Sequence, residues 1–243
     1  DDRGIREATI VGEGIGLAMR GFRPIAEIQY LDYLMFALQT LSDDLATVSY
    51  RSVGKQLAPL IVRTRGHRLE GMWHAGSPMG MILNSLKGML VLTPRNMVQA
   101  SGMYNTLMSC TDPALIIEPL NAYRLKEKEP LNLGEFTVPL GKIEIINPGT
   151  DITVVSYGST LKLVEKTIPE LERNNINIEL IDIQSLIPFD LNKDIVESIK
   201  KTNKLLIVDE DYPGGASSFI LKVLIEDHNG FKLSLIHISE PTR

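Results

Sequence analysis

The chain has 243 residues, of which 44% are hydrophobic and 23% charged, enough apolar side chain to bury one large or two small domains. Its net charge of -5 comes without a long run of Lys or Arg, which argues against nucleic acid or anionic membrane as the main partner and leaves small molecules and proteins. No apolar run approaches the ~18 residues that a spanning helix needs, and the opening DDRGIREATI is not a signal-peptide core, so a cytoplasmic protein is expected.

Asp1 falls inside what reads as a strand-to-helix connection, so upstream sequence is expected to precede it. Residues 7–19 read as a helix with Ile10, Val11, Gly14 and Leu17 on one side. Gly12, Gly14 and Gly16 each cost it roughly 1 kcal/mol against Ala, so this helix must pack closely on something. The run GEGIG invites a dinucleotide reading, but G-x-G-x-x-G fails at Leu17 and no clear strand precedes it. Residues 23–28 read as a strand, and Asp32 is placed to cap a helix carrying Leu34, Leu38, Leu41 and Leu45.

A short apolar run at 59–62 reads as a buried parallel strand, and TRGHRLEGMWHAGSPM follows it. Loops leaving the carboxyl end of such a strand are where α/β proteins put ligand and catalytic groups, which makes His67 and His74 the first candidates for chemistry. The plainer alternative is a surface loop whose histidines are merely solvated. A short helix from Met79, a strand at 89–92, a helix capped by Thr93 with Pro94 in its first turn, and a strand at 113–117 come next. Cys110, the one cysteine, excludes an internal disulfide and a cysteine-based zinc site, and reads as a small residue at a helix end.

Between Leu120 and Leu140 the pattern stops, and YRLKEKEPLNLGEF has the charge, Pro and Gly of a linker. Alternation then resumes with strands at 151–156, 178–182 and 204–209 and helices at 159–173, 191–199 and from Ala216. Pro169 is expected to kink or split the first of these helices. The tail LSLIHISEPTR, residues 233–243, has no pattern that continues the fold. It is similar to a translated sequencing-adapter peptide, so it is set aside together with His237. The fold class is α/β, with two doubly wound domains: 1–122, a linker 123–141, an incomplete 142–232, and a non-native tail at 233–243.

Taken together, GIREATIVGEGIGLAMRGFRPIAEIQYLDY, APLIVRTRG, GMWHAGSPMGMI, LTPRN and DPALIIEP resemble the beta subunit of thiamine-diphosphate-dependent 2-oxoacid dehydrogenases. So do PLGK, GTDITVVSYG, ELIDIQSLIPFD, KKTNKLLIVDED and PGGAS in the second half. The likeness is greatest to the beta half of forms in which alpha and beta are fused. It spans residues 1–232 in order and implies a transketolase-like pyrimidine-binding domain followed by a transketolase C-terminal domain. The sequence departs from the family at Asp1 to Ile5, where DDRGI stands for an Asp-Thr-Pro-Ile pattern, and at Lys232, where the second domain is cut short.

What the resemblance implies can be stated residue by residue. Glu7 hydrogen-bonds the aminopyrimidine of thiamine diphosphate and drives the tautomer that deprotonates the thiazolium carbon; without the resemblance, it reads as an exposed first-turn Glu complementing the helix dipole. Tyr33 stacks on the pyrimidine, or else is a helix-face core residue. His74 stands beside the reaction centre and aids acyl transfer to a lipoyl thiol. His67 is a weaker candidate, and Arg65 and Arg68 bind a substrate carboxylate or form surface ion pairs worth at most ~1 kcal/mol. Backbone carbonyls of Leu60, Leu107, Met108, Cys110 and Asp112 match a structural monovalent cation site, for K+.

The chain has no Gly-Asp-Gly, the motif that holds Mg²⁺ and the cofactor's diphosphate, so an alpha subunit or upstream alpha half is expected to supply that wall. The expected activity is decarboxylation of a branched-chain 2-oxo acid or pyruvate, then reductive acylation of a lipoyl group on an acyltransferase partner, in a dimer of heterodimers. A transketolase, a deoxyxylulose-phosphate synthase and a noncatalytic interaction module are the alternatives.

Overall fold

The computed structural model describes residues 4–66, 77–211 and 214–228, together with the backbone of 234–239. His67 and His74 lie outside the described residues.

Two five-stranded sheets carry the chain, and their central strands are near-continuous apolar runs, the composition of strands covered on both faces. In the first sheet β1 (Ile25–Ile28), β2 (Ile61–Gly66), β4 (Ala114–Pro119) and β3 (Leu90–Leu92) run parallel in that spatial order. In the second, β10 (Ser234–Ser239), β9 (Lys204–Asp209), β6 (Ile152–Ser156) and β7 (Ile178–Asp182) are parallel, and β5 (Glu144–Asn147) adds an antiparallel edge. Every residue of β4 and β7 is buried. Helix α1 (Glu7–Met19) precedes the first strand, and the crossovers that parallel neighbours need run through α2 (Ala46–Arg51), α3 (Met79–Ser85), α4 (Met97–Ser109), α5 (Gly158–Arg173), α6 (Asp194–Thr202) and α7 (Ala216–Lys222). The α/β class expected from the alternation of elements is the class found. Among the described residues no helix is long and apolar enough to cross a membrane.

The two halves are joined by more than a linker. A strand from the second half, β8 (Ser185–Ile187), pairs antiparallel with β3 of the first, Val91 opposite Ile187. One apolar cluster therefore runs from Val11, Leu60 and Val91 through Leu186 and Ile181 to Ile207. Beside it Arg95 donates to Asp182 at 2.8 Å and to Glu144 at 2.6 Å, while Gln99 donates to Asp182 at 3.1 Å and to Gln184 at 2.7 Å. Burial pushes the Asp182 carboxyl above its ordinary range even with Arg95 and Gln99 on it.

Several local expectations are corrected. Asp32 does not cap a helix: the chain enters a 3-10 turn, Leu31–Ala37, from extended Tyr30, and only after a wider turn at Thr40–Leu45 does α2 begin. Thr93 ends β3 with its amide on the Gln184 carbonyl, and the cap of α4 is Asn96, whose side chain accepts from the Gln99 amide at 2.8 Å. Pro169 neither splits nor ends α5, and it lies on the exposed side of that helix, where a lost backbone hydrogen bond costs least. The stretch read as linker is partly packed: Phe136 and Val138 lie on α4, and a methyl on Gly102 would come within 2.4 Å of Phe136. Residues 234–239, expected to lie outside the fold, pair in register with β9. The alternation in LSLIHIS suits a strand, and β9 would otherwise leave an open edge there.

Candidate active site

Close packing of α1 sets the site. A Cβ on Gly14 would lie 2.8 Å from Leu60 Cδ1, so the helix rests against the start of β2 at a distance only glycine permits. Its first residue, Glu7, is thereby only 7% exposed, an unusual place for a carboxylate. Between α1 and the edge strand β1 lies a cleft of about 900 Å³ whose wall carries Glu7, Ile10, Glu13 and Leu17 from the helix, Glu27 and Gln29 from the strand end, and Arg65 from β2. The wall mixes apolar and charged side chains, and its one buried carboxylate, Glu7, could bond a protonatable ring nitrogen.

Tyr33 stands on the 3-10 turn just past Gln29, half-buried, and the described residues lining the cleft do not include it. Its ring meets Tyr30 edge-on at 5.7 Å and Phe36 at 6.4 Å. Arg65 donates from Nε to the Gln29 carbonyl at 2.8 Å and lays its guanidinium 4.7 Å over the Tyr30 ring. Glu7 and Arg65 thus line the cleft, and Arg65 links it to the turn that carries Tyr30 and Tyr33. His67 and His74 fall outside the described residues, although the segment that contains them joins the end of β2 to α3.

Three of the five carbonyls read as a monovalent-cation site are hydrogen-bond acceptors in this structure. The Leu107 and Cys110 carbonyls both accept from Arg23, the first at 3.5 Å, and the Leu60 carbonyl takes the Ala114 amide at 3.0 Å. The Arg23 guanidinium thus places a positive charge at the carboxyl end of α4, where it complements the helix dipole. Among the described residues no group of three or more His, Cys, Asp or Glu side chains is placed to hold a metal, which does not bear on a site built from backbone carbonyls.

Two features escaped sequence reasoning. Glu118, 2% exposed, accepts from Tyr104 at 2.6 Å, from Tyr123, and from Arg63 at 2.9 Å. Burial and then the bond to Glu118 raise the Tyr104 phenol, and the same causes push Tyr123 up to about 12. Burial opposes the charge on Arg63, but Tyr123 and Glu118 outweigh it, so the guanidinium stays charged. A lone Glu closing the apolar run PALIIEP was the visible signal. Where the chain re-enters after residue 76, Ser77 donates to Glu210 at 2.5 Å and the Gly80 amide to Asp211 at 3.1 Å, so the second half fixes the exit of the histidine-bearing segment.

Two family models together match most of the chain. The transketolase pyrimidine-binding domain matches residues 2–126, and the transketolase C-terminal domain matches residues 141–238. The 2-oxoisovalerate dehydrogenase subunit beta of Bacillus subtilis is 31% identical over 233 residues, 96% of this chain and 71% of that protein. The chain belongs to the family of 2-oxoacid dehydrogenase beta subunits. This beta-type chain is also 33% identical to the pyruvate dehydrogenase E1 component subunit beta of Acholeplasma laidlawii, over 86% of its own length and 64% of the relative's. To the 2-oxoisovalerate dehydrogenase subunit beta 2 of Arabidopsis thaliana it is 36% identical, covering 90% and 62%. It therefore spans less than two thirds of two of these three relatives. A solved split-gene transketolase, an inactive beta4 tetramer, has the same fold at a TM-score of 0.76 and 18% identity, with 96% of this chain and 72% of that one covered.

Proposed function

We propose that this chain is the beta-type part of a thiamine-diphosphate-dependent 2-oxoacid dehydrogenase, which decarboxylates a branched-chain 2-oxo acid or pyruvate and passes the acyl group to a lipoyl thiol. The observation that carries the reading is the buried carboxylate of Glu7 on the wall of a cleft of about 900 Å³, in a chain of this family. When bound, thiamine diphosphate supplies the carbanion chemistry that decarboxylation needs. Glu7 would hold the pyrimidine and keep a proton at its ring nitrogen, Ile10, one turn further along the same cleft wall, would cover the ring beside it, and Tyr33, on the turn past the cleft, would offer a ring face. His74 is assigned the acyl-transfer role and His67 a lesser one. A monovalent cation, K+, on the backbone carbonyls of Leu60, Leu107, Met108, Cys110 and Asp112 remains part of the reading.

With no Gly-Asp-Gly in the chain, an alpha subunit or alpha half is the natural source of the Mg²⁺ and diphosphate contacts. A lipoyl acyltransferase is then the next partner, and a dimer of heterodimers the assembly. The test is reconstitution with an alpha-type chain and assay of two substrate classes. Carbon dioxide release from 2-oxo acids but not turnover of ketose phosphates is expected. Ketose phosphate turnover would replace the reading with a transketolase, and no turnover of either, with cofactor bound, would remove it. His74→Ala is expected to depress reductive acylation more than cofactor binding, and His67→Ala to do less; equal mild effects would return both histidines to an ordinary loop.

A further inference from the structure

Arg65 stands at the cleft, where a substrate-carboxylate role is the obvious assignment for a guanidinium, yet both of its described contacts go to the end of β1 and the turn beyond it. Nε is fixed on the Gln29 carbonyl at 2.8 Å, and the guanidinium covers Tyr30 with Cζ 4.7 Å from the ring centroid. Tyr30 in turn meets Tyr33 edge-on, centroids 5.7 Å apart and planes at 85°, and Tyr33 leans on Phe36. The register explains why these residues meet: Ile28 pairs with Thr64, so Gln29 and Arg65 leave adjacent parallel strands side by side. The side chains form a continuous arm from β2 to Tyr33.

We propose that Arg65 and Tyr30 are positioning residues: Arg65 clamps the Tyr30 ring, and Tyr30 sets the orientation in which Tyr33 presents its face to an aromatic ring in the cleft. This rests on the cofactor reading above and reassigns Arg65 from binding the acid to orienting Tyr33. A planar, delocalised guanidinium is the side chain for such a clamp, because it stacks and donates from Nε at once, whereas a lysine ammonium keeps the charge but has neither the plane nor the fixed fork. Charge and geometry are therefore separable by substitution.

Two measurements test it. In the chain by itself, with ring-labelled tyrosine and the Tyr33 signal assigned by Tyr33→Phe, the Tyr33 resonance is expected to move in Arg65→Ala, Arg65→Lys and Tyr30→Leu and to stay near its wild-type position in Tyr30→Phe. An unmoved signal in all four overturns the clamp. In the complex with an alpha-type chain, the half-saturating concentration of thiamine diphosphate with Mg²⁺ is expected to rise about fivefold in Arg65→Ala, Arg65→Lys and Tyr30→Leu, the scale of losing one cation–π or aromatic pair. Tyr30→Phe, which keeps the ring, should recover the wild-type value, and the KM for the 2-oxo acid should change by less than about twofold. If instead Arg65→Lys retains function and Arg65→Ala raises that KM with cofactor saturation unchanged, Arg65 binds the acid and the inference fails. Glu7→Gln is the control that separates the two levels. A cofactor defect there with none in the Arg65 and Tyr30 variants overturns this inference alone, and no defect in any of them overturns the cofactor reading as well.

Discussion

A methyl group on Gly215 would fall 1.7 Å from Asp211 Oδ2, the oxygen that accepts from the Gly80 and Ala216 amides. Asp211 could move aside only by giving up those two hydrogen bonds, so Gly215→Ala is expected to lower stability in urea unfolding by about 1–3 kcal/mol, the usual cost of overpacking. Gly16 meets nothing within 4 Å, and Gly16→Ala should gain up to ~1 kcal/mol from helix propensity. Equal effects of the two substitutions would contradict the packing described here. The sequence already signalled that α1 packs closely, through Gly14, and put Glu7 at its start. The Arg65 and Tyr30 contact was not legible, because 35 positions of chain separate the two and only the β1–β2 register brings them together. The Asn96 cap was visible in principle, but Thr93 and Pro94 form the more conspicuous start signal and drew the boundary too early.

At the scale of elements, β7 and α6 are tied by Glu179. It accepts from Ser198 at 2.5 Å, from Lys201, and from the Gly149 amide at 3.4 Å. Burial alone would raise its pKa, but Lys201, Ser198 and Gly149 outweigh burial and hold it below the ordinary value of 4.5. A carboxylate lowered in the folded state contributes stability that is complete above its unfolded pKa and is lost as pH falls through the folded one. Melting temperature is therefore expected to fall on acidification below about pH 4.5, and Glu179→Gln should flatten the fall. The comparison with the variant is needed because Asp182, raised by burial, acts in the opposite sense, its contribution declining as pH rises. Identical acid slopes in both proteins would rule the network out. Long elements such as α1, α5 and β9 were legible from periodicity. The short edge strands β5 and β8 were not, since three or four residues carry no period and their antiparallel partners lie in distant sequence.

At the scale of the whole molecule, the sheets share a core and an ion-pair seam, so the halves are expected to unfold together. Asp182 is fully buried, and Arg95→Met should cost about 3–5 kcal/mol by leaving it unpaired, with Arg95→Met/Asp182→Leu recovering most of that. An additive double variant in denaturant melts would show that the seam is not coupled. The same chain carries only the pyrimidine wall of the proposed site. Cofactor at about 100 Kd would add ~2.7 kcal/mol to a protein that binds it, and far below Kd almost nothing. Melts of the chain alone should therefore ignore thiamine diphosphate with Mg²⁺, and an alpha-type chain should restore the shift; a clear shift without it would place the diphosphate contacts on this chain. The central claim is that Glu7 handles the cofactor's proton, and exchange of the thiazolium proton in the reconstituted complex measures it directly. Glu7→Gln should leave the melting of the chain intact and slow that exchange by about 10² to 10⁴-fold, whereas exchange at the wild-type rate would contradict the account.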